Sequence, residues 1–159
     1  MKRIASIIGL VLWGGQAVAL SCVQLTPETL FTWAQQADET FVPVYGEITF
    51  DPALVQEPAR DVLRPRGVTY PAQFDGRFVS SQGFGADIST PITVNVTCTA
   101  SWCGGVPSQG LSLAVLERTD GGLVLNQHAC PSSHLPQPTK ADLDAFRACL
   151  RGDVCNANF

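Results

Sequence analysis

The sequence predicts a small all-β barrel or meander with a helix at each end, stapled by disulfides. Three observations point there. Apolar residues alternate in short runs, as in Ile92-Val94-Val96 and Leu111-Leu113-Val115, which is the period of a half-buried strand. Turn chemistry separates such runs, above all Asp120-Gly121-Gly122. Helical apolar spacing is confined to two stretches near the ends of the chain.

In chain order, the first stretch reads as an export leader. Lys2 and Arg3 precede an apolar run over residues 4–13, and Ala17-Val18-Ala19 has the small-x-small form of a cleavage site. Gly14, Gly15 and Gln16 end the run well short of the roughly 20 residues needed to span a bilayer. The expected boundaries are a signal peptide over 1–19 and a single domain over 20–159. A minor alternative is a lipoprotein acylated at Cys22, although that would leave five thiols in an oxidising space.

Thr26-Pro27-Glu28 is a helix start, with a hydroxyl N-cap, proline at the first position and an acid at the positive end of the dipole. Leu30, Trp33, Ala34 and Ala37 then give one buried stripe over about residues 27–38. A strand follows over 40–50, with Val42, Val44 and Ile48 on one parity and Gly46 suggesting a bulge or bend. Residues 51–67 contain Pro52, Pro58 and Pro65 and read as a long loop. Short strands are expected near 68–74 and 77–81, then at 92–97, then over the pair flanking Asp120-Gly121-Gly122, whose second strand covers 123–128. Pro138-Thr139-Lys140-Ala141-Asp142 opens the last helix. Leu143, Phe146 and Leu150 form its apolar face, and Gly152 ends it after Arg147 and Arg151.

Without the leader, 140 residues remain, with 8 basic and 14 acidic side chains and a net charge of −6. That is one domain's length, enough for a real core that disulfides assist. Arg60, Arg64 and Arg66 alternate with Glu57 and Asp61, and Lys140 is the single lysine after Lys2. No basic cluster suits nucleic acid or an anionic membrane surface. All six cysteines follow residue 21, which fits a disulfide framework in an exported chain.

Several residues carry a familiar look. Ser21-Cys22 followed by a helix and a strand with a central glycine, then Cys103-Gly104, a strand, a glycine turn, a strand and Cys130, resembles netrin-like domains. The tissue inhibitors of metalloproteinases and small bacterial exported proteins share this pattern. The resemblance covers most of residues 20–130, although Cys98 and residues 73–84 depart from it. It implies an OB-fold, a five-stranded partly open barrel, here with an N-terminal and a C-terminal helix. Six cysteines allow fifteen pairings. Carried over residue by residue, the family pattern implies Cys22 with Cys130. Cys98 is then the near partner for Cys103, and Cys149 and Cys155 remain. The family's zinc-chelating inhibitors begin Cys-x-Cys, whereas the matching triplet here is Leu20-Ser21-Cys22, so the residue that anchors that chelate is missing.

Other chemistry is weaker. Trp102-Cys103-Gly104-Gly105-Val106 has valine where a resolving thiol would stand, so it reads as a structural half-cystine beside a packing tryptophan. His128, Cys130 and His134 have metal-like spacings, but an exported cysteine is more often oxidised, and the histidines read as ordinary surface residues. Ser132, Ser133 and His134 are adjacent without forming a triad, and Gly-x-Ser-x-Gly is absent. Asp142 with Asp144, and Asp38 with Glu39, read as helix-start and turn charges. Asn95-Val96-Thr97 fits a glycosylation acceptor inside a strand.

The function expected is therefore that of an exported binding domain, not an enzyme and without a cofactor. Its partner would be a protein or an envelope component, bound across residues 68–98. Tyr70, Phe74, Phe78 and Phe84 are the candidate contacts there, weighed against a simple role in filling the barrel. The alternatives are a protease inhibitor acting through residues 51–67, and a small enzyme joining His128 or His134 to a carboxylate in a concave site.

Overall fold

Local capping sets both helices in the computed structural model, which describes residues 22–60, 66–130 and 133–155. The signal peptide and cleavage site, Leu20 and Ser21, the loop residues Asp61, Arg64 and Pro65, and Ser132 lie outside the described residues. Helix α1 spans Pro27–Gln36, two residues shorter than expected. Thr26 accepts from the Thr29 amide at 3.2 Å, and the Thr29 hydroxyl accepts in return from the Thr26 amide at 2.8 Å. Helix α2 spans Lys140–Arg151 and repeats the device with Thr139 and Asp142. Gly152 stops it in the left-handed region, with φ at 81°.

Eight strands make up the β structure among the described residues. They are β1 (Phe41–Thr49), β2 (Val68–Ser80), β3 (Gly83–Val96), β4 (Cys98–Thr99), β5 (Trp102–Cys103), β6 (Gly110–Thr119), β7 (Gly122–Gln127) and β8 (His134–Pro136). The main sheet runs β1-β2-β3-β7-β6-β8, and β6 also pairs with β1, so five strands form a ring. β3 and β7 are parallel, and the other pairs are antiparallel. Inside the ring lie Val44, Ile48, Tyr70, Ala72, Phe74, Ile92, Val94, Val96, Ala114, Leu116 and Leu125. A second cluster lies outside it, where Leu30, Leu143 and Phe146 of the helices cover Leu113 and Val115 of β6. Phe31 meets Phe146 edge-on there, with ring centres 6.0 Å apart.

Several expectations change. The strands expected near 68–74 and 77–81 are one strand, β2, whose pairing with β3 shifts between Arg77 and Val79. The alternating run at 92–96 is only the second half of the 14-residue β3. Its first half is largely exposed, and although Phe84, Ala86 and Ile88 keep the same parity, Gly83, Gly85 and Pro91 disguise the strand. Leu111 does not join the buried face with Leu113 and Val115. It is exposed, while Ser112, Ala114 and Leu116 are buried as well, because β6 has the ring on one face and the helices on the other. The loop at 51–67 holds a short 3-10 turn, Pro52–Leu54, and an Ala59–Arg66 bridge.

Gly46 causes no bulge. Its pairing with β2 and with β6 is continuous. It sits opposite Gly76, and a Cβ on it would run into the Asp75 carbonyl oxygen and lie 2.8 Å from the tip of the Phe74 ring. Two facing glycines thus leave the space that Phe74 fills.

All six cysteines are bridged, as Cys22–Cys130, Cys98–Cys103 and Cys149–Cys155, the set that resemblance and proximity imply. The first ties the segment before α1 to the segment after β7. The second staples the β4–β5 hairpin, and the third spans the end of α2. No helix of the described residues is long and apolar enough to cross a membrane.

Candidate binding site at the rim of the ring

The parallel register of β3 and β7 sets Asn95 beside Asn126. Asn95 alternates with the inward Val94 and Val96, so its side chain lies on the outer face. It donates to Asn126 Oδ1 at 2.8 Å, and Asn126 Nδ2 donates to Glu117 Oε2 at 2.5 Å. The three side chains form a chain of polar contacts across β3, β7 and β6. Two positions on, Thr97 Oγ1 lies 3.0 Å from His128 Nδ1.

Helix α1 and the start of β1 close the other side. The Trp33 ring centre lies 4.8 Å from that of Phe41 and 5.9 Å from the His128 imidazole. Together with Glu39 these groups enclose a pocket of about 160 Å³. Its floor is two amides and a carboxylate already held in place, and its wall is aromatic.

A larger pocket of about 390 Å³ also has His128 in its lining, with Leu25, Val106, Pro107 and Leu135 among its walls. His134 also lines it and is 7% exposed, contrary to the surface role expected. The cause is β8, a strand the sequence does not reveal, which pairs His134 with Ala114. Burial pushes the His134 pKa down to about 4. Its Nδ1 lies 3.1 Å from Gln127 Nε2, which also donates to Ser133 Oγ at 3.0 Å, and the Ser133 hydroxyl donates to the Asn126 carbonyl.

The four aromatics expected to share a face do not. Tyr70, 3% exposed, and Phe74, fully buried, point into the ring. Burial raises the Tyr70 hydroxyl to about 12, and its oxygen has no hydrogen-bond partner among the described residues. Phe78 is half-buried against the ring core. Only Phe84 is exposed, and its ring lies 5.4 Å from Tyr45 with the Arg147 guanidinium 5.9 Å from its centre. Inward alternation along β2 takes the first two, and Phe84 sits at the opposite, turn end of the β2–β3 hairpin.

Cys103 is bonded to Cys98, so the Trp102-Cys103 segment offers no thiol, and Trp102 is 54% exposed instead of packing beside its neighbour. No group of three His, Cys, Asp or Glu among the described residues is placed to hold a metal ion. Ser133 bonds Gln127 and the Asn126 carbonyl. The small pocket does bring His128 together with Glu39 and Glu117, yet no histidine forms an ion pair with a carboxylate among the described residues. The Asn95 amide nitrogen, the atom a glycan would occupy, is committed to Asn126.

Sequence reasoning considered Asn95 only as a sugar acceptor and missed Glu117 and Asn126. Each directly follows an apolar residue of its strand, but the register that joins them is a tertiary fact. No family model, curated protein or solved structure matches the chain.

Proposed function

We propose that this chain is an exported, disulfide-bonded OB-fold domain of the netrin-like kind that binds a partner protein or envelope component at the rim of its ring. The fold reading is supported by five strands returning on themselves in the order β1-β2-β3-β7-β6-β1, with a helix before the first. Export is supported by the leader pattern and by three disulfides, which persist in oxidising compartments.

One observation carries the binding reading. The Asn95–Asn126–Glu117 chain is fixed at the bottom of a pocket walled by Trp33 and Phe41. Polar groups held in place beneath an aromatic wall fit recognition, since little ordering is left for binding to impose. The domain has neither a cofactor nor a catalytic cycle in this reading. Mature protein immobilised against periplasmic or extracellular extract should retain a partner that free protein displaces. The variant Trp33→Leu, shown folded by circular dichroism, should lose it. Capture unaffected by Trp33→Leu would remove the rim from the reading.

A second reading rests on Leu54, an exposed apolar side chain on the 3-10 turn of the 51–67 loop. Such a side chain, presented on a turn, suits a protease inhibitor that inserts a loop. Mature protein at micromolar concentration that fails to slow a panel of metallo- and serine proteases would exclude it.

A further inference from the structure

We infer that the rim pocket receives the cationic head of an arginine or lysine side chain presented by the partner protein, an inference that rests on the rim-binding reading. The hydrogen-bond inventory points there. Asn126 occupies one oxygen of Glu117, and no hydrogen bond or ion pair among the described residues engages the other oxygen or the Glu39 carboxylate. Among the described residues the pocket therefore holds two carboxylates with unused acceptor positions and no paired cation. An acceptor-rich site with two negative charges selects a donor-rich positive group.

The walls agree with the floor. Trp33 and Phe41 present two aromatic rings, and a guanidinium or ammonium near a ring face gains from its quadrupole. Size selects a side-chain head over a whole ligand, because about 160 Å³ is well under the roughly 300–1,000 Å³ of pockets that enclose drug-sized molecules. The net charge of −6 after leader removal would steer a basic partner toward the surface. A metal ion is a poor fit, since no three ligating side chains converge among the described residues.

The test uses mature protein carrying Trp102→Phe, which leaves Trp33 as the only tryptophan after residue 19. Its fluorescence is followed during titration with N-acetyl-arginine methylamide, the lysine analogue and the neutral citrulline analogue. A saturable change with the two cations, weakened by added salt and absent with citrulline, is the expected result. Glu39→Gln with Glu117→Gln should weaken the arginine analogue roughly tenfold or more. Glu39→Gln alone, at an exposed position, should weaken it by about threefold without touching the fold. Citrulline titrating like arginine, an unchanged affinity in the folded Glu39→Gln variant, or no saturable change with either cation would each overturn the cation assignment. The rim reading is judged separately. A captured partner lost on Trp33→Leu but indifferent to both glutamate changes leaves the rim standing and the cation refuted, whereas no captured partner removes both.

Discussion

At the scale of single residues, two positions show how closely the strands are drawn together. Gly46 and Gly76 face each other across β1 and β2, and the tip of Phe74 lies beneath both. Gly46→Ala should cost at least about 3 kcal/mol, because its Cβ would meet backbone that cannot move aside. Gly105→Ala, with no atom within 4 Å of the added carbon, should change stability by less than about 0.5 kcal/mol. Urea unfolding of the two variants measures the contrast. His134 supplies a pH effect. Its folded pKa of about 4 lies below the ordinary value of 6.5 that the unfolded chain recovers. Between those values the unfolded state binds the extra proton, so stability is full above about pH 6.5 and falls as pH drops toward 4. The loss reaches about 3 kcal/mol at the lower end. Urea midpoints across this range should show the slope, and His134→Gln should flatten it. Neither effect is visible in the sequence, where Gly46 suggests a bulge and His134 a surface loop.

Among the elements, the helices follow most directly from local chemistry. Thr26-Pro27 and Thr139 with Asp142 are caps written in nearby residues, and Gly152 is a stop signal that acts where it stands. Thr139→Ala should cost about 1 kcal/mol, since it removes the acceptor for an orphan amide. Gly152→Ala should cost about as much, because φ is 81° there. Both are read from thermal unfolding. The inward face of a strand is legible where the opposite face meets water. The alternation that marks Ile92, Val94 and Val96 also marks β6 at Leu111, Leu113 and Val115, but two buried faces there hide which residues meet the ring, and in the first half of β3 glycines and Pro91 break up the apolar run. The three-residue β8 leaves no periodic trace, since it exists only because β6 has an unpaired side over Ser112–Ala114.

For the whole molecule, closure is the governing feature. β6 pairs with β1 on one side, and its other side is shared between β8 and β7. β7 is thereby freed to run parallel to β3, and this brings Asn95, Asn126 and Glu117 together. The Cys22–Cys130 bridge spans 108 positions and locks α1 beside the end of β7. Replacing that pair with serine should cost about 4–5 kcal/mol on the chain-entropy view, against about 2 kcal/mol for Cys98–Cys103, whose loop is short. Urea unfolding of the two double variants compares them, and an equal loss would show that loop length is not what sets the difference.

The sequence by itself determined what neighbouring residues can decide: two capped helices, alternating strands with a water-facing side, the Asp120-Gly121-Gly122 turn and a cysteine framework suited to export. The tertiary structure alone decided which aromatics turn inward, where His134 lies, and which polar side chains meet at the rim. The physical reason is register. Asn95 and Glu117 each touch Asn126 because two strand pairings place them there, and a pairing between distant segments is selected by the packing of the whole ring.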